Sequence, residues 1–216
     1  MTRNRQDMAA GADTFVRHAV TDRAQDEPKT GYDGLTILLH WTTALLVVIL
    51  FGLAQTWNLL ERGTPLRHIL QSLHVSLGLV FTAVLVARLL WRAIAGRKLV
   101  QMSSGFAGFA AKAMHYLLYL LLVVEGALGW NFRWAAGDPL SLFGLFSIPS
   151  PISFKVEQRH AIATAHNWVA ISILLLAGAH ALAALFHHYA LKDGILSRMV
   201  PILKRSAGAS ALGNSK

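Results

Sequence analysis

Four apolar segments constrain this chain more than any other feature of its sequence. They run approximately from Leu35 to Trp57, Leu73 to Trp91, Ala113 to Trp130 and Ala165 to Phe186. Each is long enough to cross about 30 Å of hydrocarbon as a helix, and a helix satisfies its own backbone hydrogen bonds in lipid. Only 14% of the residues are charged, whereas soluble domains carry about 25%. The pattern predicts an all-α membrane protein that folds as a bundle of four transmembrane helices.

The residues outside these segments predict the domain organisation. Residues 1–31 are polar and of mixed charge, so we expect a flexible cytoplasmic tail there. Because they contain no apolar core, no secretory signal peptide is expected. The bundle is predicted to occupy residues 32–203, with a second flexible tail over 204–216. The chain has no cysteine, which excludes disulfides, iron–sulfur clusters and covalently attached c-type haem.

The distribution of positive charge predicts the orientation of the bundle. Fifteen of the 20 Lys and Arg residues fall in the two tails and in the connection between the second and third segments. Five fall on the opposite side. Because cytoplasmic loops carry the excess of Lys and Arg, we expect both termini to be cytoplasmic in a bacterial inner membrane. The net charge of +9 then reflects orientation, and no nucleic-acid partner is expected.

Histidines recur at matching depths in three of the segments. The fourth segment carries His166 and His180, fourteen residues apart, which places them within about 40° of one helix face and about 21 Å apart along it. With the orientation above, His166 is outer and His180 is inner. His40 lies towards the inner end of the first segment, and His74 lies near the outer end of the second. The four therefore sort into two pairs, His40 with His180 and His74 with His166.

Two histidines from facing helices suit a b-type haem held without covalent links. The residues four positions beyond each histidine lie on the same helix face, and all are small, as a flat porphyrin requires: Ala44, Gly78, Ala170 and Ala184. The alternative for any single histidine is a hydrogen bond to a polar neighbour. An alternative for the whole set is a histidine-lined metal transporter, which would be colourless.

Two further residues are candidates for a catalytic role. Glu125 lies inside the third apolar segment, and acids at such depths often serve proton relays; the alternative is a hydrogen bond to a neighbouring helix. His115 begins the third segment and could contact a quinone or a haem propionate, or simply lie at the interface. Arg88, His187 and His188 lie at inner helix ends, where they would pair with propionates or extend to lipid headgroups.

Cationic residues also gather on the predicted outer side. They could form a basic mouth that steers a small anion such as superoxide, or they could simply be solvated. They are Arg62, Arg67, His68, Lys155, Arg159 and His160.

Four stretches of the chain resemble the helices of the bacterial cytochrome b561 family. They are LLHWTTALL, LHVSLGLVFTAVLVARLLWR, MHYLLYLLL and AHNWVAISILLLAGAHALAALFHHYALKDGILSRMVP. The resemblance covers approximately residues 32–203. It implies a four-helix inner-membrane protein with two b-type haems, whose axial ligands fall on His40, His74, His166 and His180. Some members of the family oxidise superoxide at the outer face and reduce ubiquinone, and others are known only as b cytochromes.

Sequence and resemblance together predict a membrane-bound di-haem b-type cytochrome of a respiratory chain. It would carry electrons from an outer-face donor to the quinone pool, with superoxide oxidation and ubiquinone reduction as the suspected oxidoreductase activity. The donor could instead be a redox protein subunit, because related bundles anchor hydrogenases and formate dehydrogenases. In that alternative the chain is the haem-binding membrane anchor of such an enzyme. Membrane lipid is the remaining expected partner.

Overall fold

A computed structural model describes residues 31–96 and 105–200, and four long helices dominate this part of the chain. They are α1 (Gly34–Asn58), α2 (Pro65–Ile94), α3 (Gly105–Ala135) and α4 (Val156–Phe186). All four are long and apolar enough to cross a membrane. The predicted all-α bundle of four transmembrane helices is therefore confirmed. The predicted tails lie outside the described residues, except for Gly31.

The helices extend beyond the apolar segments that predicted them. α2 begins at Pro65 and α4 begins at Val156, each several residues before its apolar segment. Pro65 fits the first turn of α2 because an N–H at that position would have no partner within the helix. α1 begins after Asp33, whose carboxylate accepts a hydrogen bond of 2.8 Å from the amide of Thr36. Hydropathy located the hydrocarbon-spanning part of each helix, whereas polar turns continue the helix outside it.

Packing pairs α1 with α2 and α3 with α4, and a small apolar cluster joins the two pairs. Its members come from all four helices: Leu46, Phe81, Leu85, Leu122 and Ile173. Ile173 lies seven residues from both His166 and His180. The buried cluster therefore forms a layer between the two histidine levels, and leaves each level near one end of the bundle.

A β-hairpin packs on the end of the bundle that carries His74 and His166. Strand β1 (Leu140–Leu142) pairs antiparallel with β2 (Phe146–Ile148). The buried hydroxyl of Ser76 on α2 donates to the carbonyl of Ser141 at 3.1 Å and accepts from the amide of Phe143 at 2.9 Å. The hairpin is thus fastened to α2 two residues from His74, and we call this end the hairpin side.

The opposite end, which we call the tail side, is closed by the segment after α4. A π-helical turn (His187–Leu191) leads through Lys192, in the left-handed conformation at φ 54°, to a 3₁₀ turn (Leu196–Arg198). The indole N–H of Trp41 on α1 donates to the carbonyl of Met199 at 3.1 Å. This bond fixes the segment against the end of α1 from which His40 extends.

Candidate functional site

His74 and His166 meet at the hairpin side. His74 extends from α2 and His166 from α4, and their ring centres are 6.3 Å apart with the ring planes at 86°. Trp57 at the end of α1 packs edge-on against His74, with 4.9 Å between ring centres. The structure therefore brings together the pair that topology predicted for one end of the bundle.

Both rings of this pair use Nδ1 for contacts within the protein. The Nδ1 of His74 lies 3.0 Å from the carbonyl oxygen of Leu50, to which it donates. The Nδ1 of His166 lies 3.0 Å from Oε1 of Glu125, although the two groups are not aligned as a regular hydrogen bond. A histidine that ligates a metal commonly donates its other ring nitrogen to a carbonyl or carboxylate. This arrangement leaves both Nε2 atoms for a metal.

α3 contributes two residues to the surroundings of His166. Glu125 is only 15% exposed, and its second oxygen has no hydrogen-bond partner among the described residues. Gly129, one helical turn further on, lies against the imidazole: a Cβ there would be 3.3 Å from Cε1 of His166. The missing side chain thus lets the ring lie close to the α3 backbone.

The geometry of the pair fits a haem iron. Two imidazole nitrogens each about 2 Å from one metal separate the ring centres by about 6 Å, since each centre lies about 1 Å behind its nitrogen. The observed separation is 6.3 Å. Gly78 lies one helical turn from His74 on α2, and an added Cβ there would meet no atom within 4 Å, so the backbone is open on this face. The donor set, the spacing and the open backbone all suit a bis-histidine b-type haem.

At the tail side His40 is held by an arginine. Nη2 of Arg88 on α2 lies 3.0 Å from Nδ1 of His40, and Nε of Arg88 donates to the hydroxyl of Tyr119 at 3.1 Å. Because arginine only donates, the Nδ1 of His40 accepts here, and the proton of the neutral ring is on Nε2. A metal bound through Nε2 would require the ring proton to move to Nδ1. Arg88 would then have to give up its contact with His40. Arg88 would then be available for another anionic partner.

The tail side brings together three histidines. The rings of His115 on α3 and His180 on α4 have centres 5.1 Å apart, and His40 lies at the same end of the bundle, where Arg88 contacts it. The sequence had set His115 apart from the pairs, because it assigned no ligand to α3. The described residues contain no group of three or more histidine or acidic side chains arranged to hold a metal ion. The histidines therefore remain candidates in pairs.

Other predicted site residues already have partners within the protein. Arg67 donates from Nη1 to the carbonyls of Trp57 and Leu60 at 2.8 Å each, so it caps the end of α1. His187 donates from Nδ1 to Asp193. The other members of the predicted basic mouth are exposed: Arg62, His68, Lys155, Arg159 and His160. Glu125, predicted as a proton donor or as a partner for a neighbouring helix, lies against His166 of the neighbouring helix α4.

The model of one protein family, prokaryotic cytochrome b561, matches residues 31–201. The chain belongs to this family. Relatives agree with that assignment. Cytochrome b561 homolog 2 of Escherichia coli is 34% identical over 170 residues, which cover 78% of this chain and 90% of that protein. Cytochrome b561 homolog 1 of the same bacterium is 29% identical over 167 residues, covering 76% and 94%.

A third relative carries a functional name. The probable superoxide oxidase CybB of Yersinia pestis is 29% identical over 175 residues, covering 79% of this chain and 96% of that protein. Membership of the cytochrome b561 family establishes b-type haem as the cofactor, membrane electron transfer as the activity and a multi-pass bacterial membrane protein as the molecular class. The prediction of an oxidoreductase is thereby confirmed.

Proposed function

We propose that this cytochrome b561 holds two non-covalent haems. His74 and His166 would ligate one at the hairpin side, and His40 and His180 would ligate the other at the tail side. The observation that supports this most directly is the 6.3 Å pair of His74 and His166, whose Nδ1 atoms face protein oxygens. The charge asymmetry of the sequence supports a hairpin side that faces outwards and a tail side that faces the cytoplasm.

The residues of the chain would act by holding, orienting and insulating. Each bound haem would supply one-electron transfer without bond chemistry at the iron, because two histidines leave no open position. The Leu50 carbonyl and the Glu125 carboxylate would fix the ring orientation of His74 and His166. The apolar cluster around Phe81 and Ile173 would exclude water between the two levels. Arg88, once released by His40, would pair with a propionate.

We further propose superoxide as the electron donor and ubiquinone as the acceptor. Two superoxide anions would each lose one electron to become O₂, and ubiquinone would take up two electrons and two protons to become ubiquinol. The name of the Yersinia relative and the exposed cations of the hairpin side support the donor. His115, exposed at the tail side, and Glu125, beside His166, remain the candidate residues for proton delivery to the quinone.

The haem assignment is tested by spectroscopy of the purified protein. We expect a b-type reduced-minus-oxidised spectrum with two haems per chain. His166→Ala should lose the hairpin-side haem alone, and His180→Ala the tail-side haem alone, because each deletes one ligand of one pair. Loss of both haems from either folded variant would contradict the two-site assignment. A colourless protein whose histidine variants instead reduce metal-ion flux would favour the transporter.

The donor and acceptor are tested by stopped-flow mixing with superoxide. We expect haem reduction that becomes slower as salt concentration rises, because exposed cations attract the anion, followed by reoxidation when ubiquinone is added. If superoxide failed to reduce the haems, that donor would be rejected. Co-purification of a dehydrogenase subunit that reduces them instead would favour the membrane-anchor role.

A further inference from the structure

The two ligands at the hairpin side differ in what faces Nδ1. For His74 it is the neutral carbonyl of Leu50 at 3.0 Å. For His166 it is the carboxyl of Glu125, also at 3.0 Å but without the alignment of a regular hydrogen bond. A carboxylate attracts the Nδ1 proton much more strongly than a carbonyl does. With its Nδ1 proton directed at this carboxylate, His166 would become the more electron-rich of the two rings.

The position of Glu125 is costly for the fold unless it serves the site. α3 is apolar around it, the side chain is 15% exposed, and Oε2 has no hydrogen-bond partner in the described residues. A buried oxygen without a partner destabilises a protein. An apolar side chain at this position would avoid that cost, so stability does not explain the acid. Its contact with a candidate haem ligand does.

Gly129 is a second, independent indication that α3 packs closely against His166. A Cβ at this position would lie 3.3 Å from Cε1 and 3.8 Å from Nδ1 of the imidazole. Because Glu125 and Gly129 are one turn apart, they lie on the same face of α3. Gly129 lies against Cε1 of the imidazole, and Glu125 lies next to Nδ1.

We propose that Glu125 is a positioning residue: it keeps a proton on Nδ1 of His166, and this directs Nε2 of that ring to the iron. Glu125 would thereby lower the midpoint potential of the hairpin-side haem. This role rests on the proposed ligation by His74 and His166. An electron-rich ligand stabilises ferric over ferrous iron, so the potential falls. A lower potential at the hairpin side favours electron movement from that haem towards the tail side.

The test is a redox titration of the full-length purified protein, comparing wild type, Glu125→Gln and Glu157→Gln. Glu157 is an exposed acid in the first turn of α4, so its variant removes an equal charge without touching His166. In Glu125→Gln we expect one midpoint potential to rise and the other to stay. We expect neither to move in Glu157→Gln. The hairpin-side haem is identified by repeating the titration in the His180→Ala background.

A second readout separates positioning from general packing. The electron paramagnetic resonance spectrum of the ferric protein depends on electron donation from the two imidazoles to the iron and on the angle between the two ring planes. The 86° between the rings of His74 and His166 predicts a highly anisotropic low-spin signal, which Glu125→Gln should shift. Loss of an outer-shell partner also typically weakens metal binding by about 10- to 100-fold, so we expect faster haem loss from this site. Glu125→Asp, which keeps the carboxylate, should show smaller changes in the same direction.

The outcomes separate this inference from the function on which it rests. A two-haem protein whose potentials and resonance signal are the same in wild type and in Glu125→Gln would overturn the role of Glu125 alone. If Glu125→Gln does not fold, unchanged values in Glu125→Asp would overturn it equally. Equal shifts of both haems would also contradict it, because the contact involves one ligand. A wild-type protein without the hairpin-side haem would overturn the proposed ligation itself.

Discussion

Individual histidines in this bundle are distinguished by the group that faces Nδ1 of the ring. His74 faces the carbonyl of Leu50, His166 faces Glu125, and His40 faces Arg88. The first two arrangements leave Nε2 free for iron, whereas the third must rearrange first. Incorporation of the cofactor should therefore require less local adjustment at the hairpin side than at the tail side.

Gly129→Ala tests how closely α3 must approach His166. The added Cβ would lie 3.3 Å from Cε1 of the imidazole, so the ring must shift by a few tenths of an ångström. We expect the affinity for the hairpin-side haem to fall by up to about 10-fold, a small effect for a residue that contacts a metal ligand and not the metal. Absorbance during haem titration measures this. The matched control is Gly178→Ala on α4, where an added Cβ meets no atom within 4 Å. If Gly178→Ala lost as much haem, the contact between α3 and His166 would not be the cause.

Single elements hold the two ends of the bundle in different ways. At the hairpin side one hydroxyl, that of Ser76, bonds both β1 and the turn that follows it. At the tail side Trp41 and Asp193 fix the segment that follows α4. Both attachments lie next to candidate ligands along the chain.

Ser76→Ala should loosen the hairpin. The hydroxyl is 3% exposed, so its removal leaves the Phe143 amide and the Ser141 carbonyl without that partner, at a cost of about 1–3 kcal/mol. We expect faster proteolysis at the hairpin and a lower unfolding temperature. Ser172→Ala is the control, because that hydroxyl bonds only the Trp168 carbonyl one turn earlier. Equal effects of the two substitutions would show that Ser76 has no special role in attachment.

The turn at Asp193 should weaken in acid. Burial acts to raise the pKa of Asp193, but hydrogen bonds from His187 and from the Ile195 amide, together with the charge of His187, hold that pKa below its usual value. A carboxyl whose pKa is lowered in the folded state stabilises the turn fully at pH values above its unfolded-state pKa. This contribution is lost as the pH falls through the folded-state pKa. The protection factor of the Ile195 amide against hydrogen exchange should therefore fall in that acidic range. Asp193→Asn should show a low protection factor already at neutral pH; a high protection factor at every pH in this variant would contradict the assignment.

The bundle as a whole separates two polar levels by an apolar layer. Leu46, Leu122 and Ile173 belong to that layer, while Glu125 lies at one level and Arg88 at the other. Four consecutive spans place the start of α1 and the end of α4 at the same end of the molecule. That the end with both termini faces the cytoplasm is part of our proposal, which the charge asymmetry of the sequence supports.

Cysteine labelling tests this orientation directly, because the natural chain has no cysteine. Leu145 in the hairpin is 80% exposed and Tyr189 at the tail side is 72% exposed. With a membrane-impermeant maleimide, we expect Leu145→Cys to react in cells with a permeabilised outer membrane and Tyr189→Cys to react only after the inner membrane is opened. The reverse pattern would invert the proposed topology and place the hairpin-side haem at the cytoplasmic face.

The sequence by itself determined the four-helix membrane architecture and the histidines that are candidates for haem ligation. Hydropathy predicts spans because lipid leaves a backbone few alternatives to a helix, and helical spacing then fixes the depth of each histidine. Helix ends were less predictable, since α2 and α4 continue as polar turns outside the hydrocarbon.

Only the tertiary structure decided which groups from other helices face those histidines. Glu125 could have faced any of its neighbours, and His115 was expected to stand apart from the pairs. Rotation of α3 about its axis, set by packing against α4, turned Glu125 towards His166 and His115 towards His180. Spacing along one helix fixes which residues share a face, but the element that this face contacts depends on interactions between distant segments.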